Sequence, residues 1–270
     1  MKHIKPEPNR AKRNNTWYLF SFLVKNDIKQ RYQGSVLGIL WSIIIPLIML
    51  TIYTFIFSEV FSAKWNVETG NKFEFALMLF CGLNLYNMFS DVLGRSVSLI
   101  QQNQNYVKKV VFPMEVLPGV VTFSALFNCL IGFGVLIVAN TVLNQTMHIT
   151  LLEAPLVLLP HILFCCGIAF IFSAVSVYVR DLSNFVSVLV TILMYMSPVF
   201  FPLSAVPARF RVIMMINPMT YSIENMRNVI LYGTHIDFGY YAISAGTALV
   251  VFVLGYWVFH RAKVGFADLL

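Results

Sequence analysis

The chain is poor in charge. Asp, Glu, Lys and Arg make up 11% of its 270 residues, against about 25% in soluble domains. Acids are the scarcer sign, 12 against 19 Lys and Arg, and they stand singly. Enzymes that polymerise at a membrane surface carry acidic clusters, so this pattern argues against one. Nucleotide-binding chemistry is missing too, because no Gly-x-x-x-x-Gly-Lys-Ser/Thr loop occurs. There is no His-Glu-x-x-His helix and no Gly-x-Ser-x-Gly elbow. His3, His148, His161, His235 and His260 are scattered without ligand spacing. Cys81, Cys129, Cys165 and Cys166 lie inside apolar runs and read as small packing residues rather than zinc ligands. The expectation is a chain with no catalytic residues, no metal and no cofactor of its own.

What remains is apolar. Hydrophobic residues make up 58% and the mean hydropathy is +0.74, which defines an all-α integral membrane protein. A net charge of +7 would point a soluble protein toward nucleic acid. Here the basic residues gather in particular loops, as the positive-inside rule requires, and no nucleic-acid partner is expected. No cleavable signal is expected, because the basic tail is long and the first apolar run exceeds a signal core.

Residues 1–16 read as a basic disordered tail, with Pro6 and Pro8 opposing a helix. Over 17–31, Trp17, Phe20, Leu23, Val24 and Ile28 recur at helical spacing, while Lys25, Asp27 and Lys29 fall elsewhere around the wheel. That predicts an amphipathic helix in the headgroup plane, or one packed on a cytoplasmic partner. From Tyr32 to Ser58 no Asp, Glu, Lys, Arg or His appears, enough to cross a ~30 Å hydrocarbon core. Six spans are expected, near 35–58, 74–98, 117–143, 154–178, 183–203 and 239–260, with Pro46 kinking the first. The basic groups of the tail, Arg95, Lys108, Lys109, Arg180, Arg261 and Lys263 share one side, so both termini are expected in the cytoplasm. Arg209, Arg211 and Arg227 break that rule. Their segment, near 206–232, is apolar but interrupted at Asn217-Pro218, which predicts a re-entrant hairpin between spans five and six. If it crossed once instead, the C-terminus would lie outside.

Several polar and aromatic positions are candidate site residues. Asn84, Asn87, Asp91 and Arg95 share one helical face. They are either functional intramembrane groups, or an i,i+4 ion pair with two amides joining helices. Tyr53 and Phe57 on span one, and Tyr195, Phe200 and Phe201 on span five, either belong to interface belts or line a conduit in which flat rings slide along sugar faces. The stretch 101–118 mixes amides, bases and apolar residues, and would present Tyr106, Lys108 and Lys109 to a soluble partner.

Four motifs then resemble the membrane permease subunit of ABC-2 polysaccharide exporters, a family moving O antigen, teichoic acid or capsule. They are Asp27-Ile-Lys-x-Arg31-Tyr32-x-x-Ser35-x-Leu-Gly38-x-Leu-Trp41 with Pro46, Lys108-Lys109-Val-x-Phe-Pro-x-Glu115-x-Leu-Pro118, Tyr178-x-Arg180-Asp181, and Asn217-Pro218. The basic tail is not part of the pattern. The resemblance implies a homodimer in a bacterial inner membrane, bound to two copies of a cytoplasmic ATPase that holds ATP and Mg. It implies ATP-driven export of an undecaprenyl-diphosphate-linked glycan. Arg31, Tyr32, Gln33, Ser35 and Trp41 would form the entrance, where a guanidinium can hold phosphate bidentately. Tyr106, Lys108, Lys109, Glu115, Arg180 and Asp181 would contact the ATPase, and Arg209, Arg211, Asn217 and Pro218 would form the periplasmic gate. The rival expectations are an ABC-2 exporter of drugs or small lipids, an ion-coupled transporter and a structural scaffold. An ion-coupled transporter would need inverted repeats and midplane ion ligands, and neither is visible.

Overall fold

The computed structural model describes residues 8–56, 73–105, 112–145, 147–179 and 181–269. Phe57, Tyr106, Lys108, Lys109 and Arg180 lie outside the described residues. Among those described, the chain is helical and carries no strand.

Helix α1 runs Pro8–Tyr32, so it starts nine residues before the expected Trp17. Pro8 does not block it. At the first helical position the missing N–H has no intrahelical acceptor to lose, and proline's φ is already helical. The inner face carries Phe20, Leu23, Val24, Asp27, Ile28 and Arg31, all half-buried, while Lys25 and Lys29 are exposed. Asp27 therefore lies on the packed face, which the apolar spacing alone did not predict. Phe20 meets Phe123 edge-on, with ring centroids 5.3 Å apart.

After a turn with Gly34 and Gly38 at positive φ, a short 3-10 turn leads into α2, Trp41–Phe55, with Pro46 inside it. Helix α3 spans Glu74–Ser96, α4 Val116–Asn144, α5 Ala154–Tyr178 and α6 Leu182–Tyr195. Helices α7, Ala208–Met215, and α8, Pro218–Arg227, follow as a short pair. Helix α9, Phe238–Ala262, closes the bundle. Among the described residues, five helical stretches are long and apolar enough to cross a membrane: Gly38–Phe55, Glu74–Ser96, Val116–Asn144, Ile149–Tyr178 and Phe238–Gly265. The fifth expected span is shorter. Helix α6 has 14 residues, about 21 Å at 1.5 Å per residue, and it gives way to turns at 196–199. Pro198 cannot donate to the helix ladder and steers Ser197 away from helical φ/ψ.

Helix α3 is the centre of the bundle, with 83% of its apolar window buried, and it packs on α2, α4, α5, α6 and α8. Lipid tails are as apolar as leucine, so close backbone approach rather than water expulsion joins such helices. The most extensive pair, α5 with α9, shows this. A Cβ on Gly255 would lie 2.3 Å from the Gly167 carbonyl oxygen, and one on Gly167 would lie 2.7 Å from Phe252 Cα. All four cysteines are free, with Cys81, Cys129 and Cys165 buried in the packing.

Helices α7 and α8 flank the expected break. Asn217 caps α8 by accepting from the Met219 N–H at 3.0 Å, and Pro218 occupies its first turn. A π-helical turn follows at Asn228–Tyr232. Its Val229 and Ile230 carbonyls accept from Thr150 Oγ1 at 2.8 Å and Asn140 Nδ2 at 3.4 Å. The widened turn is thereby bonded to α4 and to the segment entering α5.

Candidate functional site

The junction of α1 and α2 meets α3 and α4 around a cavity of about 230 Å³. Three expected entrance residues, Arg31, Tyr32 and Trp41, line it together with Asn84, Asn87, Asp91 and Asn128. Gln33 and Ser35 lie in the exposed turn beside it. The helical rise explains the arrangement. Asn84, Asn87 and Asp91 recur at three and four residues on α3, so one face presents a polar stripe roughly 10 Å long.

One end of this stripe is closed by crossed ion pairs. Arg31 donates to Asp91, and Arg95 donates to Asp27. Arg31 Nε also lies 3.8 Å from Asp27 Oδ2, too far for a hydrogen bond. Asp91 and Arg95 therefore each take a partner on α1, where sequence spacing allowed them to pair with each other. The set is under-bonded, because Arg31 Nε, Arg95 Nη1 and Asp27 Oδ2 are buried without a hydrogen-bond partner. Such a network holds α1 against α3 while leaving donors available for exchange. Tyr32 Oη donates to Asn128 Oδ1 at 2.6 Å. Burial pushes the Tyr32 pKa up against the opposing pull of Arg31, so the hydroxyl stays protonated and remains a donor. Asn84 Nδ2 donates to the Cys129 carbonyl at 2.9 Å, which joins α3 to α4.

The remaining expected site residues lie elsewhere in the bundle. Asn217 Nδ2 donates to Ser197 Oγ at 2.7 Å, tying the α7–α8 break to the turn after α6. Arg211 donates from Nε to the Val206 carbonyl and from Nη2 to that of Ser204, both at 2.7 Å, bracing the turn before α7. Arg209 is exposed and lies 4.7 Å from the Phe210 ring centroid. Tyr195 and Phe200 stack with centroids 5.8 Å apart, Phe201 is half-buried, and Tyr53 packs on the core from α2. Among the expected coupling residues, Glu115 is bound to the end of the chain: Lys263 donates to it and His260 Nδ1 lies 3.7 Å away. Burial pushes its carboxyl up, but the bonds and charges from Lys263, its own backbone N–H and His260 outweigh that and lower its pKa. Asp181 is exposed at the start of α6.

Spacing alone did not single out the Arg227–Glu224 node. Arg227 is fully buried. It donates to Glu224 Oε1 at 3.1 Å, to the Met78 carbonyl at 3.2 Å and to the Val199 carbonyl at 2.8 Å. Glu224 also accepts from the Leu203 N–H at 3.1 Å. The node thus fastens α8 both to α3 and to the 197–203 turn. Gly82 makes room for it, since a Cβ there would lie 2.8 Å from Arg227 Nη2. The available signal was the i,i+3 pair of opposite charges in an apolar segment. Asn128 was also missed, although it is an isolated amide inside a long apolar run.

A multi-pass helical bundle with a polar chamber at its α1–α2 junction belongs to the class of membrane transport subunits. More particularly, the chain is a member of the ABC-2 type transporter family, whose profile matches residues 18–231. It is 31% identical over 262 residues to the O-antigen export system permease protein RfbA of Klebsiella pneumoniae, covering 95% of this chain and 97% of that protein. RfbA of Myxococcus xanthus is 32% identical over 186 residues, 68% of each chain. The polysialic acid transport protein KpsM of Escherichia coli is 27% identical over 218 residues, 78% of this chain and 80% of that protein.

Proposed function

We propose that this chain is the permease subunit of an ATP-driven exporter of lipid-linked polysaccharide, with O antigen as the cargo. The similarity to O-antigen permeases over nearly the whole length supports it, and the polar cavity at Arg31 and Tyr32 is the observation that carries the mechanism. The likeness to KpsM keeps capsule within the same cargo class. In this reading α1 lies in the headgroup plane and both termini are cytoplasmic. Helix α6, extended by the turns after it, makes a sixth crossing, and α7–α8 form a re-entrant gate on the periplasmic side. Two copies of the chain assemble in a bacterial inner membrane with two ATPase subunits, which bind ATP and Mg. The permease itself does no bond-breaking chemistry.

Arg31 would receive the undecaprenyl diphosphate at the lateral entrance. A phosphate is a bidentate acceptor like Asp91 but carries more charge. The buried, unbonded Arg31 Nε becomes a second donor to the diphosphate once the guanidinium turns away from Asp91. In cells deleted for the chain, export of the lipid-linked glycan is lost and is restored by the intact gene. Arg31→Ala then fails to restore export although the permease–ATPase complex still copurifies. Full export with Arg31→Ala refutes the entrance assignment, and full export in the deleted cells refutes the function.

A further inference from the structure

The cavity beside Arg31 is built for more than an anion. Asn87 is exposed on a helix whose apolar window is 83% buried, and its amide makes no hydrogen bond among the described residues. An amide facing hydrocarbon without a partner is costly, so this face meets water or a polar ligand. Asn128 spends its oxygen on Tyr32, which leaves its NH2 donors available to the cavity it lines. Asp91 uses Oδ2 for Arg31 and keeps Oδ1 as an acceptor. Trp41, 37% exposed, supplies an indole to the same wall.

An indole with two amides and a carboxylate is the chemistry that recognises a neutral sugar ring, because apolar C–H faces pack on the aromatic and hydroxyls bond the amides and acid. The size suits a single ring. Drug-sized ligands occupy roughly 300–1,000 Å³, and this cavity holds about 230 Å³. The amide end lies within roughly 10 Å of Asp91 along α3, adjacent to the guanidinium.

We infer that this cavity is a monosaccharide subsite, holding the sugar bonded directly to the diphosphate, with Asn87, Asn128, Asp91 and Trp41 as its recognition groups. The inference rests on the polysaccharide-export reading and deepens it, since the entrance then reads a glycosyl diphosphate rather than any anionic lipid.

The test uses the purified full-length chain in phosphatidylethanolamine–phosphatidylglycerol nanodiscs. N-acetylglucosamine, galactose, mannose and rhamnose serve as separate probes, read by saturation-transfer NMR. At least one sugar gives saturable transfer, and both Asn87→Leu and Trp41→Leu weaken it by about two- to tenfold, the scale of one lost hydrogen bond or stacking contact. Leucine at either exposed site suits an apolar helix, and unchanged melting of at least one variant secures the comparison. No saturable transfer from any of the four sugars, or binding by both variants equal to wild type, overturns the subsite. The export assay in deleted cells separates the two ideas. Export lost on deletion with no sugar bound removes the subsite alone, whereas export retained on deletion removes the transport reading beneath it.

Discussion

Replacing Arg227 by methionine keeps an unbranched apolar stem and removes the guanidinium, its charge and all three of its hydrogen bonds. The guanidinium is fully buried, so its loss strands the Glu224 carboxylate with the Leu203 N–H as its remaining bond. The carbonyls of Met78 and Val199 also lose a donor. Removing one partner of a buried ion pair costs about 3–5 kcal/mol. At roughly 2–4 °C per kcal/mol for a chain of this order of size, melting of the purified chain in detergent falls by about 6–20 °C. The second variant separates stranded charge from lost packing. Arg227→Met with Glu224→Gln retains an amide oxygen for Leu203 and carries no buried charge, so it recovers more than half of the loss. A single variant melting within about 2 °C of wild type refutes the assigned role. So does a double variant less stable than the sum of the two single changes, which would mean the buried charge is not the source of the cost.

Gly82→Ala places a methyl 2.8 Å from Arg227 Nη2 and 3.2 Å from Val199 Cα. Thermal unfolding should show a loss of about 1–3 kcal/mol, non-additive with Arg227→Met because both act on one node. Tyr32→Phe removes the bond to Asn128 and lowers stability by about 0.5–1.5 kcal/mol, measured by chemical denaturation in mixed micelles. The Glu115–Lys263 tie gives a pH dependence of known sign. Because the folded pKa of Glu115 is lowered, its contribution is complete above the ordinary glutamate pKa and disappears as pH falls through the lowered value. The melting difference between wild type and Glu115→Gln should shrink toward zero across that acidic window, and a difference that does not change with pH contradicts the pairing.

Much of the fold is legible because it follows from local rules. Apolar length and the obligation to bond every backbone group internally define the long helices without reference to neighbours. Asn217-Pro218 ends one helix and caps the next by chemistry confined to adjacent residues. The shortening of α6 was also written locally, in Ser197-Pro198, but hydropathy carried the expected span past it. The early start of α1 was missed for the opposite reason: proline was weighed as a breaker when its position made it a first residue. Within the site, α3 declared its polar stripe through spacing. The partners of that stripe were not declared, because Asp91–Arg31 and Arg95–Asp27 join residues about sixty or more positions apart.

The sequence by itself determined a charge-poor helical membrane chain, the basic and polar residues at its α1–α2 junction, and the break before α8. Those depend on residue type and on periodicity. The tertiary structure alone decided which charges neutralise each other and that Glu115 bonds Lys263 in the turn after α9. It alone made Arg227 a buried anchor rather than a misplaced surface cation, and grouped Asn87, Asn128 and Trp41 around one chamber. In each case the deciding quantity is a distance between helices. Helices that share a lipid environment select their neighbours by shape and by the few polar groups they must satisfy together, and neither is visible until the surfaces meet.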